Sequence, residues 1–107
     1  MRYIIWDSED FKFEVEVKDR QPFLHLQVYK WGLDVARFML KLIESAKAML
    51  YIGGARAVYT VIPKSDDKAI RFNKLYGMMI LTELEDTVLM GCKLNEPEKS
   101  ILAQNKD

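Results

Sequence analysis

The feature that most constrains this chain is the order of patterns between Phe23 and Met78, which reads strand, helix, strand, helix. Phe23-Leu24-His25-Leu26-Gln27-Val28-Tyr29-Lys30-Trp31 is an apolar and aromatic run of strand type. From Asp34 to Tyr51 apolar residues return at steps of three and four: Val35, Phe38, Met39, Leu42, Ala46, Met49 and Leu50. That recurrence predicts a helix with one buried face. Arg56 to Pro63 is nearly all apolar and predicts an interior strand, apolar on both faces and covered by helices. A shorter helix is predicted from Asp66 to Tyr76, with Ala69, Phe72, Leu75 and Tyr76 buried and Gly77 as its stop. A strand, a crossover helix and a second strand imply a parallel pair with a right-handed crossover.

The flanks complete an α/β chain built on a mixed sheet. Phe11 to Lys18 alternates strictly, with Phe11, Phe13, Val15 and Val17 on one face and charged residues on the other. Asp19-Arg20-Gln21-Pro22 has turn chemistry, so the strand from Phe23 is expected to return antiparallel to it. Tyr3-Ile4-Ile5-Trp6 reads as a lead-in or edge strand. Asp34 is a plausible N-cap for the long helix, and Gly53-Gly54 its stop. Met78 to Leu84 and Thr87 to Leu94 form a hairpin about Glu85-Asp86. Asn95-Glu96-Pro97-Glu98 resembles a helix start, with Ser100 to Ala103 adding a turn or two before a frayed end.

Composition limits function. At 107 residues the whole chain, 1–107, is expected to be one domain. Sixteen basic and sixteen acidic residues cancel, so nothing in the charge points to nucleic acid. No window approaches the roughly 20 apolar residues that cross a bilayer, and the N-terminal apolar run is too short for a signal peptide. Cys92 is the sole cysteine and fits a reducing, cytoplasmic compartment. One cysteine and one histidine do not make a structural zinc site.

The order of elements from Phe11 to Leu94 resembles the GNAT superfamily of N-acetyltransferases. The most specific segment runs from Ile62 to Met78. Family members carry there a short helix of the form N-x-x-A-x-x-(apolar)-Y-x-x-x-G-F after an interior strand. Ala69, Phe72, Gly77 and Met78 fall on that frame, with Asp66 in place of Asn. The resemblance implies antiparallel strands, then β-α-β-α, then a C-terminal hairpin. It implies acetyl-CoA as the acyl donor if the chain is enzymatic. It also extends to shortened, phage-encoded members, which implies a host-cytoplasmic or virion setting with an assembly or host-interaction role.

Two departures from the family pattern bear on catalysis. The family's pyrophosphate loop, Q/R-x-x-G-x-G/A, uses free amides at a helix N-terminus to cradle phosphate. The matching stretch is Val28-Tyr29-Lys30-Trp31-Gly32-Leu33-Asp34-Val35, with one glycine, a bulky pair and an acidic residue. Any CoA contact falls on Val28, Gly32, Leu33, Asp34 and Val35. At the position where family enzymes often place an acidic Tyr stands Asn73, which has no proton to give. Tyr76 is expected to face the core.

These departures favour a non-catalytic GNAT-like domain that acts by binding a protein or a second copy of itself, with no cofactor. Trp6, Tyr29, Trp31, Ile101 and Leu102 are the candidate contact residues, since aromatics at strand ends favour interfaces. An active acetyl-CoA-dependent N-acyltransferase is the alternative. A regulatory module that binds CoA without turnover is a third reading. His25 has the chemistry of a general base with Glu14 or Glu16 as its orienter, although a half-exposed strand residue is the plainer meaning. Cys92 beside Lys93 is read as a small hydrophobe rather than a reactive thiol.

Overall fold

The alternation at Phe11–Lys18 becomes strand β2, on which β1 and β3 are both registered. The structure, a computed structural model, describes residues 1–96. Ile101 and Leu102 lie outside the described residues. The elements are β1 (Arg2–Asp7), β2 (Phe11–Lys18), β3 (Gln21–Val28), α1 (Leu33–Ile52), β4 (Ala57–Pro63), α2 (Asp67–Leu75), β5 (Met79–Glu83) and β6 (Thr87–Lys93). They form one six-stranded sheet in the order β1-β2-β3-β4-β6-β5. Only the β3–β4 pair is parallel.

Strand β3 starts two residues earlier than the turn chemistry predicts. Asp19 and Arg20 both have positive φ, 50° and 66°. A two-residue turn of that hand matches the twist of the flanking strands. Lys18 then pairs directly with Gln21, and Pro22 sits opposite Val17 inside the strand. The register places Val15 beside Leu24, Phe13 beside Leu26 and Phe11 beside Val28 on one face.

Both crossovers, β3-α1-β4 and β4-α2-β5, step along the sheet in the same direction. Right-handed connections in one direction put both helices on the same face. The core lies there: Phe11, Phe13, Val15 and Leu24 meet Met39 and Ile43 of α1, Val58 and Ile62 of β4, Phe72 of α2, and Val88 and Met90 of β6. The opposite face carries no helix among the described residues. On β1–β3 it is polar, with Arg2, Glu14, Glu16 and His25; on β4, β6 and β5 it is apolar. Val61 is 42%, Leu81 52% and Met79 67% exposed. The expectation that helices cover the interior strand on both faces is therefore corrected: β4 is covered on one side.

Two helix faces are also corrected. Met39 and Ile43 are the buried centre of α1, while Met49 is 72% exposed. The helix is apolar around much of its circumference, so spacing alone does not choose its rotation. On α2, Phe72 and Asn73 are buried, Tyr76 follows them at the C-cap, and Leu75 is 72% exposed. By residue type either Ser65 or Asp66 can cap α2, and Asp66 does so, its carboxylate accepting from the Ala69 amide at 3.1 Å. Gly77, at φ 95°, takes the left-handed turn that releases the chain into β5.

Candidate ligand-binding wedge

Strands β3 and β4 share one ladder pair, Phe23 with Tyr59, and then diverge. A continued parallel ladder would give the Leu24 carbonyl a backbone amide of β4. Instead the buried Thr60 hydroxyl donates to it, Oγ1 to O at 2.8 Å. A side chain thus satisfies the last ladder acceptor, and the strands are free to part. Beyond this point, among the described residues, the facing backbone edges of β3 and β4 have no further ladder pair. Between them lies a cleft of about 230 Å³, lined by Leu26, Val28, Trp31, Val61, Phe72 and Asn73 among others.

Of the predicted CoA contacts only Val28 lines the cleft; the lining reaches Trp31 but none of Gly32 to Val35, and Asp34 and Val35 line a separate depression with Trp6 and Phe38. Gly32 is the N-cap residue, in extended conformation at φ −177° and ψ 161°. Asp34 is not the cap: no side-chain cap bond is made there, and Asp34 lies inside the first turn. The correction has a simple cause. The helix begins at Leu33 with Gly32 as its N-cap, so Asp34 is two positions too late to accept from the amides of the first turn as a cap. The Ala36 amide donates to the Gly32 carbonyl at 2.8 Å, which leaves the Leu33, Asp34 and Val35 amides without intrahelical partners. Two amides earlier in the loop are used otherwise: Tyr29 and Lys30 N–H both donate to the Asp10 carbonyl, at 2.8 and 3.0 Å. Trp31 turns onto Phe72, ring centroids 5.6 Å apart, with the Lys68 ammonium 5.9 Å from its ring.

Asn73 lines the cleft but its amide is committed. Its Nδ2 donates to the Ala69 carbonyl at 2.7 Å, and its Oδ1 accepts from the Tyr76 hydroxyl. Tyr76 faces the core as expected, outside the cleft lining. Burial pushes its phenol well above the ordinary tyrosine value, and the neighbouring Cys92 adds to the rise.

On the opposite sheet face the mouth is polar. Arg2 Nε donates to Glu14 Oε2 at 2.7 Å, and Lys12 Nζ lies 3.4 Å from Glu14 Oε1. His25 Nε2 is 2.8 Å from Glu16 Oε1. The Arg2 hydrogen bond, helped by Lys12, holds the Glu14 carboxyl below the usual range. The His25 hydrogen bond does the same for Glu16. The alternation of β2 leaves Glu14 or Glu16 as the partner of His25; the register sets Glu14 opposite it, and the contact is made to Glu16. The Arg2–Glu14 bond was not readable from that alternation, since it needs the β1 register.

The remaining predicted residues are dispersed. Trp6 packs edge-on to Phe38 at 4.8 Å and near Phe11 at 6.5 Å, at the far end of the core. Tyr29 is exposed, its hydroxyl donating to Gln27 Oε1 at 3.4 Å. Cys92 is half-buried, and burial raises its thiol, so it is not poised as a thiolate. No described helix is long and apolar enough to cross a membrane.

No protein-family model matches the sequence, and no curated protein does. Solved structures do share its shape. A protein provisionally described as a phosphinothricin N-acetyltransferase aligns with a TM-score of 0.63 at 14% identity, over 81% of this chain and 62% of that one. The ribosomal-protein-S18-alanine N-acetyltransferase from Escherichia coli aligns at 0.59 and 17%, over 84% and 64%. A GNAT-family acetyltransferase from Streptococcus pneumoniae aligns at 0.58 and 16%, over 79% and 58%. The fold is GNAT-like, and the chain spans about three fifths of the length of these structures.

Proposed function

We propose that this chain binds an acyl-coenzyme A-type thioester in the β3–β4 wedge and passes the acyl group to an amine arriving from the uncovered sheet face. The observation that carries the reading is the ladder of a single pair, Phe23–Tyr59. Two unpaired backbone edges facing each other suit an extended, amide-bearing arm, which can add as a partial strand. The uncapped amides of Leu33, Asp34 and Val35 suit the phosphates at the end of such an arm. The Asp34 carboxylate opposes them and lowers the affinity. When bound, the thioester supplies an activated acyl carbon. The chain's own part is to hold the arm in line and to keep a polar mouth open on the other side. Asn73 offers no acid, so the departing sulfur takes its proton from water.

Calorimetric titration with acetyl-CoA tests this. Binding in the micromolar range is expected. Asp34→Asn removes a negative charge from a helix N-terminus, a change of about 0.3–1 kcal/mol, and tightens binding about two- to fivefold. No heat at millimolar ligand refutes the reading.

A second reading has its own observation. The apolar half of the open face, with Tyr59, Val61, Leu81 and Met79, suits a protein surface better than water. On that reading the domain is non-catalytic and works by contact with a partner or a second copy, in a virion-assembly or host-interaction setting. Light scattering separates the two: a clean monomer that binds acetyl-CoA favours the first.

A further inference from the structure

We infer that His25 takes the proton from the incoming ammonium at the sheet-face mouth of the wedge, with Glu16 as the positioning residue that holds its ring. The inference rests on the acyl-transfer reading above and names the group that reading leaves open.

The geometry argues by elimination and then by chemistry. An amine reaches the site mostly as its ammonium and must lose a proton before its nitrogen can attack. The titratable and charged groups around His25 are Lys12, Glu14 and Glu16 on β2 and Arg2 on β1; across the cleft stands Asp66 at the start of α2. Glu14 is bound by Arg2 at 2.7 Å and lies 3.4 Å from Lys12, which makes it a weak base. Asp66 caps α2 through the Ala69 amide. Asn73 has no basic lone pair. His25 is left, and it lines the cleft beside Leu26, Gln27 and Val61.

Its tautomer follows from Glu16. An ionised carboxylate only accepts, so in the neutral ring the proton sits on Nε2, which donates to Glu16 Oε1 at 2.8 Å. Nδ1 then keeps its lone pair, and no hydrogen bond among the described residues occupies it. A carboxylate that orients a histidine and stabilises its charged form is the arrangement a general base needs. Nδ1 takes one proton from the ammonium. The amine nitrogen bonds to the acyl carbon as the carbon–sulfur bond breaks, and the sulfur leaves as thiolate. The second nitrogen proton passes to water, the thiolate takes one from water, and His25 returns its own to solvent.

His25 is the chain's one histidine, so its ring signals are unambiguous in the full chain. Long-range proton–nitrogen NMR at neutral pH is expected to show the Nε2–H tautomer, and Glu16→Gln to weaken that preference. Acyl transfer is followed by thiol release from acetyl-CoA with methylamine, an acceptor too small to need a dedicated pocket. His25→Gln is expected to lower kcat/KM about 10²-fold and to abolish the acid limb of its pH profile. A wild-type ring in the Nδ1–H form overturns the inference even if the variants fold poorly, and so does a limb that survives in His25→Gln. A wild type that binds acetyl-CoA but acylates no methylamine overturns it too, and leaves the binding half of the earlier reading standing. A wild type that does not bind acetyl-CoA overturns both.

Discussion

Replacing Thr60 with Val tests whether one hydroxyl holds the wedge open. The substitution keeps the shape and removes the bond from Thr60 Oγ1 to the Leu24 carbonyl at 2.8 Å. Leu24 and Thr60 are both buried, so water does not replace the donor. A buried carbonyl left without its partner costs about 1–3 kcal/mol. The added methyl returns up to about 0.8 kcal/mol by burial. The net loss is therefore about 1–2 kcal/mol, or roughly 5–10 °C in Tm for a domain of this size. Thr60→Ser is the control. It keeps the hydroxyl and loses a methyl, about 0.8 kcal/mol. Urea unfolding should rank the three as wild type, then Ser, then Val. Amide exchange should show which backbone groups respond. If the strands close to compensate, protection rises at Leu26 and Val61, and on the proposed function acetyl-CoA affinity falls. A Val variant as stable as wild type, with a weaker Ser variant, would mean that the methyl matters and the hydroxyl does not. The account of the splay would then be wrong.

Other outcomes follow from the same packing. Gly91→Ala places a Cβ 2.8 Å from Leu81 Cδ1, 2.9 Å from Tyr59 Cδ1 and 3.2 Å from the Val58 carbonyl. The Leu81 end can swing aside but the backbone cannot, so a loss of about 1–3 kcal/mol in urea unfolding is expected. Asp66→Ala removes the cap bond to the Ala69 amide, and thermal unfolding should show a loss of about 1 kcal/mol that Asp66→Asn largely restores. Glu14 and Glu16 have folded pKa values below their unfolded ones. Their contribution is present above about pH 4.3, the ordinary glutamate value, and is lost as pH falls through the folded values. A Glu14→Gln, Glu16→Gln double variant should lose less stability than wild type over that acid window; an identical acid slope would refute the pairing.

Local pattern was enough for the elements of this protein. The strict alternation of Phe11–Lys18, the Asp66 cap, the left-handed Gly77 and the hairpin about Glu85-Asp86 each report a local dihedral or a local change of solvent exposure. Those are properties a few neighbouring residues decide among themselves, and the GNAT-like order of elements follows from stringing them together. What the tertiary structure decided is everything set by partners distant in sequence. Ile43 rather than Met49 faces the core because the sheet chooses the rotation of a helix apolar on most sides. Strand β4 has one dry face because two crossovers of one hand share it. Arg2 meets Glu14 through a register that spans twelve residues. The wedge itself depends on a single threonine whose hydroxyl reaches a carbonyl thirty-six positions away. A periodicity in sequence carries no information about such a bond, because its energy is realised only when the two strands already lie side by side.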